Sequence, residues 1–383
     1  MKNYNRRAFL SSSAALMALA GAAFAGATLG SRSANNLRDL FASDFRVGTA
    51  LSNRSLSGSS PELVSLVQKE FSAITAENAM KWELLRPTLT EWDWQKADRL
   101  VQTGEAAGMQ VIGHVLVWHS QVPDAVFRDA SGAPLTASAT LARMSEHIQH
   151  VMDRYKGRVQ VWDVVNEAVD EGNVWRKSHW HTLTDGAYFP RAFEVAHEAD
   201  PAAHLLYNDY SMHIPEKRDF ILQQLTRFRR QGVPIHGVGM QAHVHLEDPS
   251  IAELERSIQA YARAGLRVHI TELDVDVLPK AYEYMGAEIS KSFAYSDALN
   301  PFADGLPQKV ADQLARRYEQ LFRLFLKYRD DIERVSMWGT VDGESWKNDW
   351  PVRGRTNYPL LFNRDGERKS AYHAVANLKR SQA

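Results

Sequence analysis

No cysteine occurs among the 383 residues. That excludes disulfides, thiolate metal sites, a cysteine nucleophile and a lipid-modified cysteine at a cleavage point. An excess of charge is missing too: 45 Lys and Arg against 46 Asp and Glu leave a net charge of -1. No basic field points to nucleic acid, and no acidic excess points to disorder or to a strongly charged substrate. Beyond the N-terminus there is no low-complexity linker and no second composition regime. Three motifs are absent as well. No Gly-x-Gly-x-x-Gly follows the first strand-like run, and neither His-Glu-x-x-His nor Gly-x-Ser-x-Gly occurs. Their absence weakens a dinucleotide-binding sheet, a zinc hydrolase and a serine hydrolase in turn.

The apolar run that does exist lies at the start. Lys2, Arg6 and Arg7 precede Ala14 to Leu29, a run of mostly small residues. A basic stretch before an apolar one has the layout of an export signal. Asn5-Arg6-Arg7-Ala8-Phe9-Leu10 resembles the twin-arginine signal of bacteria. Cleavage is expected near Ala23-Phe24-Ala25 or Ala25-Gly26-Ala27, so residues 1–27 are expected to be removed and the protein exported to the periplasm or the medium. The competing reading, a membrane anchor, needs about 20 apolar residues and is disfavoured by the glycine and alanine content. The mature protein is then expected to carry no membrane segment.

One pattern recurs after a polar lead-in at residues 31–42. A short β-rich run ends in polar residues, and an amphipathic stretch follows. The runs are Arg46–Leu51, Ala73–Glu77, Gln110–His119, Val159–Val165, Ala203–Tyr207, Gly237–Gln241, Arg267–Thr271 and Val335–Trp338. Helices are predicted at Pro61–Phe71, Asp93–Ala107, Ala139–Tyr155, Pro215–Arg230, Pro249–Ala264 and Pro307–Tyr328, several closed by a following glycine. Eight alternations imply a parallel sheet with helical crossovers, and closure at eight makes a (β/α)8 TIM barrel, here one domain over residues 40–383. An open doubly wound sheet is the competitor. In a barrel, polar residues at strand C-termini gather on one rim.

Two runs end in carboxylates: Val161-Trp162-Asp163-Val164-Val165-Asn166-Glu167 and Val268-His269-Ile270-Thr271-Glu272-Leu273-Asp274. On the fourth and seventh strands Glu167 and Glu272 would face each other across the barrel mouth. Two opposed carboxylates, one protonated and one ionised, are what cleavage of a glycosidic bond requires. A lone strand-end Glu is more often a rim salt bridge; the pair, set among aromatics, reverses that judgement. Sequence spacing leaves retention and inversion of configuration open. Asp163, inside its strand, reads as a buried hydrogen-bonding residue. Glu77, Asn78 and Lys81 crowd the second strand's end and could bond sugar hydroxyls, while Trp82 is either a sugar platform or core. His114 could bond substrate. His243 could orient Glu272, with Asp274 orienting His243. His114, His119, His243 and His245 superficially suggest a metal, but the His-x-His pair follows the sixth strand rather than the first. No catalytic metal and no cofactor are expected. Trp338 and Trp346, by position, are candidate walls of the cleft.

Taken together, Glu77-Asn78-Ala79-Met80-Lys81-Trp82, Gly113-His114-Val115-Leu116-Val117-Trp118-His119, Trp162 to Glu167, Ile270-Thr271-Glu272-Leu273-Asp274 and Trp338-Gly339 through Ser345-Trp346 resemble glycoside hydrolase family 10, the endo-β-1,4-xylanases. The strings occur in the family's order and cover nearly everything after residue 40. The resemblance implies a retaining endo-1,4-β-xylanase with Glu167 as general acid/base and Glu272 as nucleophile. It implies that Asn166 bonds the 2-hydroxyl of the sugar being cleaved. It assigns Glu77, Asn78, Lys81 and Gln121 to the glycone side. His114, Trp118, Gln241 and His243 would surround the cleavage point, with Trp338 and Trp346 over it and Tyr210 on the aglycone side. The implied partners are xylan and xylo-oligosaccharides, taken by a monomer. Asn363 departs from the Asp that the family often has, far from the acids. A non-catalytic glycan-binding barrel and a metal-dependent barrel hydrolase are the alternatives.

Overall fold

Nine parallel-paired strands run through the chain in a computed structural model that describes residues 36–280 and 294–380. They are β1 (Arg46–Leu51), β2 (Ala73–Ala76), β3 (Gln110–Val117), β4 (Val161–Asn166), β5 (His204–Asp209), β6 (Gly237–Met240), β7 (His243–His245), β8 (Arg267–Asp276) and β9 (Ile332–Met337). Neighbours follow chain order from β1 to β6; β9 pairs with β1, β8 with β9, and β6 with β8. That last pairing closes the ring. Its eight staves are β1–β6, β8 and β9, and β7 is a three-residue extension beyond β6 that pairs the outer half of β8. With helices between the strands this is the expected (β/α)8 barrel. The expected export signal at residues 1–27 lies outside the described residues, as does part of the long connection Val275–Leu306, at 281–293. Among the described residues no helix is long and apolar enough to cross a membrane.

The strands are buried on both faces, as a parallel barrel requires: β2 is buried throughout, and β4 likewise. Ala73, Ile112, Val161 and Leu206, from β2 to β5, form one core cluster. The helices form where start signals and apolar stripes coincide. Thr136 accepts from Ala139 N at the head of Ala137–Tyr155, whose Met144, Ile148, Val151, Met152 and Tyr155 are buried at helical spacing. Ser250 and Glu253 make a reciprocal capping box before Ile251–Arg263.

Two departures from the sequence pattern bear on function. The seventh stave was expected to stop at Thr271 but runs to Asp276, because β7 supplies a ladder partner for Asp274, Val275 and Asp276. Glu272 therefore sits within a strand rather than at its tip. The helix Tyr188–Ala199 is not among those expected from the sequence. Pro190 falls in the first helical turn, where its missing N–H costs nothing.

Adjacent staves approach very closely at Gly113, which is registered against Trp162. A Cβ at Gly113 would lie 2.5 Å from Trp162 Cδ2 and nearer still to two other ring carbons, and Trp162 is 1% exposed. Gly113→Ala is expected to destabilise the fold by about 1–3 kcal/mol through overpacking. Urea unfolding of the variant beside the unaltered protein measures this; equal midpoints would mean that the indole relocates freely.

Candidate active site

Glu167 directly follows β4 and adopts a left-handed backbone with φ 55°. Such strain costs on the order of 1–3 kcal/mol and persists only where neighbours enforce it. The Glu167 N–H donates to Asn208 O at 2.9 Å, continuing the ladder, and Arg176 Nε donates to Glu167 O at 2.9 Å. The turn thus bends the side chain inward over the barrel mouth. Both its oxygens accept there: Oε2 from Trp118 Nε1 at 2.9 Å and Oε1 from Gln241 Nε2 at 2.9 Å.

Glu272, on β8, is held in the same way. Its Oε1 accepts from Asn208 Nδ2 at 2.7 Å, and its Oε2 lies 3.2 Å from His243 Nε2. Asn208 Nδ2 is also 2.9 Å from Asn166 Oδ1, which in turn takes Gln241 Nε2 at 3.3 Å. A continuous chain of amides therefore joins the two carboxylates: Glu272, Asn208, Asn166, Gln241, Glu167. Thr271 Oγ1 donates to Asn208 Oδ1 at 2.7 Å, which fixes which way the Asn208 amide points. Room for that amide exists because residue 239 is glycine. A Cβ there would be 2.8 Å from Thr271 Cγ2 and 3.0 Å from Asn208 Cγ.

Behind Glu272 stands a second carboxylate. His243 Nδ1 is 2.9 Å from Asp274 Oδ2, the same oxygen that accepts from Trp346 Nε1 at 2.8 Å. Burial alone would push the His243 imidazole down, but the Asp274 carboxylate beside it, aided by Glu272, outweighs this and raises it to about 9. Burial likewise favours neutral Glu272; hydrogen bonds from His243 and Asn208 and the electrostatic influence of His114 and His243 prevail, and its carboxyl is held below the usual range. At neutral pH the site therefore contains an imidazolium between two carboxylates, with Glu272 ionised.

The remaining sequence candidates surround this pair. Lys81 Nζ bonds Asn78 Oδ1 and Gln121 Oε1, both at 2.9 Å, and lies 4.8 Å from the Trp118 ring centre. Burial lowers the Lys81 pKa, against the attraction of Glu77, Glu272 and Glu167. Burial also raises Glu77, partly offset by Lys81. His114 Nδ1 is 2.9 Å from Asp163 Oδ2, the buried bond foreseen for Asp163, and its ring meets Trp338 edge-on at 5.2 Å. Trp346 stacks on Trp350 at 4.8 Å and meets the His243 ring at a tilt, 4.9 Å between centres. The Tyr210 hydroxyl oxygen accepts from Arg176 Nη2 at 2.9 Å, and Lys217 Nζ, ion-paired to buried Asp209, sits 3.4 Å from the centre of the Tyr210 ring. Trp82 is core: it stacks on His147 at 3.6 Å and is 4% exposed.

A family model described as glycosyl hydrolase family 10 matches residues 36–378. The chain belongs to that family. It is 40% identical over 342 residues to "Endo-1,4-beta-xylanase A" of Xylanibacter ruminicola, an alignment covering 89% of this chain and 93% of the relative. It is equally, 40%, identical to "Endo-1,4-beta-xylanase" of Geobacillus stearothermophilus, over 90% of this chain and 98% of that one. A solved structure described as a novel GH10 endoxylanase retrieved from sugarcane soil metagenome superposes with a TM-score of 0.88 at 48% identity, covering 90% of this chain and 100% of that one.

Sequence reasoning had assigned no role in this family 10 site to Asn208, Thr271 or Arg176. Asn208 is the penultimate residue of β5, registered beside Asn166 at the end of β4, so its position near the rim was visible, but its aim at Glu272 was not. Trp118 was expected to frame the cleavage point; its indole N–H is in addition a direct donor to Glu167. The electrostatics of His243 can be tested through stability. A folded-state pKa of about 9, above the ordinary 6.5, means that the imidazolium stabilises the fold fully below pH 6.5 and ceases to do so as pH rises through 9. Asp274→Asn removes the main partner, so its melting temperature should trail that of the unaltered protein most near pH 6 and least near pH 10. Thermal unfolding across that range checks this; a gap that widened with pH would contradict the assignment.

Proposed function

We propose that the protein is a retaining endo-1,4-β-xylanase that cleaves internal β-1,4 xylosidic bonds of xylan and xylo-oligosaccharides, with Glu272 as nucleophile and Glu167 as general acid/base. The observation that carries this is the amide chain joining two buried carboxylates, one of them held ionised by His243 and Asn208. Ionised Glu272 suits attack on the anomeric carbon. The departing xylosyl oxygen takes its proton from Glu167, and a covalent glycosyl-enzyme forms. Glu167, now a carboxylate, then takes a proton from water, which attacks the same carbon and returns Glu272 to its starting state. Trp118 and Gln241 each donate to a different Glu167 oxygen, and a carboxylate oxygen that accepts one such bond keeps a lone pair for the travelling proton.

Names of relatives support the substrate. Those quoted above are endo-1,4-beta-xylanases, and one solved relative, 33% identical with a TM-score of 0.79, is described as a mutant in complex with xylotriose. In this proposal Asn166 bonds the 2-hydroxyl of the sugar under attack. Glu77, Asn78, Lys81 and Gln121 bind hydroxyls on the glycone side. His114, Trp118, Gln241 and His243 line the cleavage point, Trp338 and Trp346 cover it, and Tyr210 offers its ring on the aglycone side. Asp274 acts through His243. Export by a twin-arginine-type signal and action as a monomer belong to the same proposal and rest on sequence alone.

Glu272→Ala is expected to lower kcat on xylan by at least about 10⁴-fold. Glu167→Ala is expected to lose about 10²–10⁴-fold on xylan but far less on an aryl xylobioside whose leaving group needs no proton. NMR of the first product should show the β anomer; an α product means inversion and removes Glu272 as nucleophile. Full turnover at 25 °C after exhaustive chelation is also expected, and its loss would favour a metal-dependent hydrolase instead.

A further inference from the structure

The N-terminal mouth of the barrel, at the other end of the staves from Glu167 and Glu272, holds polar groups that the reaction does not use. His204 opens β5, His269 lies near the start of β8, and Glu333 is the second residue of β9. One ligand atom from each lies within 4.8 Å of the other two. We propose that His204, His269 and Glu333 bind a divalent transition-metal ion of the zinc type, which clasps β5, β8 and β9 together at the base of the barrel.

The first support is that the histidines have nothing else to do. His269 is fully buried, and among the described residues neither of its ring nitrogens has a hydrogen-bond partner; buried His204 Nε2 has none among them either. Buried nitrogens that lose water and gain no bond are a net cost, and such groups call for an explanation. The second support is the donor set. Two imidazoles and a carboxylate suit zinc, with a fourth position left for water, whereas calcium and magnesium prefer oxygen ligands throughout.

The surroundings allow the site to close. Arg267 Nε donates to Glu333 Oε1 at 2.8 Å, and Glu333 Oε2 lies 3.8 Å from His269 Nε2. Zinc bonds of about 2.0–2.1 Å place tetrahedral ligand atoms roughly 3.3 Å apart, so the widest separation must draw in by up to about 1.5 Å. Glu333, at the surface, can supply most of that movement. His236 is not a ligand: its Nδ1 accepts from Leu205 N at 3.0 Å, so its other nitrogen carries the proton, and its ring packs 5.3 Å from His204. The opposing charges are Arg267 and buried Arg334. Arg267 is already paired with Glu333, and Arg334 is drawn on electrostatically by Asp163, Glu272 and Glu333.

The test uses the full protein, stripped with EDTA and freed of chelator. Calorimetric titration with zinc chloride should show one ion per chain bound at micromolar or tighter Kd, and thermal unfolding at a hundredfold excess over Kd should rise by a few degrees. Calcium and magnesium chloride should do neither. Glu333→Gln, on the surface, and His269→Leu, which deletes the unpaired nitrogens, should each weaken zinc binding at least about tenfold. In EDTA His269→Leu should be no less stable than the unaltered protein, which separates lost binding from lost folding. Both variants should keep full xylan hydrolysis. Zinc uptake and thermal shift unchanged in the two variants, an equal shift with calcium, or no zinc-dependent shift in the unaltered protein would overturn the site.

Discussion

Asn208 gives one amide nitrogen to Glu272 and to Asn166, and the rest of the site is arranged around that forked donation. Were the amide turned over, its carbonyl would face a carboxylate, and two acceptors would oppose each other in a water-poor cleft. Thr271 prevents this by claiming the Asn208 carbonyl. Gly239 leaves the space that the amide occupies, and Asn166 passes the polarity on to Gln241 and so to Glu167. The acids are thus not independent groups on separate strands. They are two ends of one hydrogen-bonded chain, whose links come from β4, β5, the residue after β6, and β8. Closure of the barrel is what brings four distant stretches of sequence into that chain.

The charge arrangement follows from the same closure. Imidazolium His243 lies between Glu272 and Asp274, so the buried Glu272 carboxylate can stay ionised although burial favours its neutral form. Lys81 faces both Glu77 and the acid pair across the mouth. Positive and negative groups alternate around the rim, which suits an uncharged sugar with hydroxyls on every side. The net charge of the chain, close to zero, hides this local order completely.

Much of this was legible beforehand, and for physical reasons. Short β-rich runs, glycine after helices and polar residues at the ends of those runs made the barrel readable, and the strings around Glu167 and Glu272 made the acids readable. The Glu272–His243–Asp274 relay was also within reach, because a carboxylate, a histidine and a second carboxylate sat on neighbouring staves. What stayed hidden depends on direction rather than position. Nothing in the string Tyr207-Asn208-Asp209 says that Asn208 turns toward Glu272 while Asp209 turns to Lys217. The extension of β8 to Asp276 depended on β7, a partner too short to announce itself. The histidines at the base of the barrel were passed over because His204 and His269 each look like ordinary members of a strand, 65 positions apart, and only the ring of staves makes them neighbours.

Arg176 ties the backbone carbonyl of Glu167 and the hydroxyl of Tyr210 to one guanidinium, and it is carried on the irregular segment that follows β4 rather than on a stave. The acid is therefore anchored partly to a loop. Changes in the length or composition of that loop can move the Glu167 carboxyl and the Tyr210 ring together, without altering either residue. Natural variation in such a segment offers a route to enzymes with altered pH range that keep an identical set of contacts to the glycan.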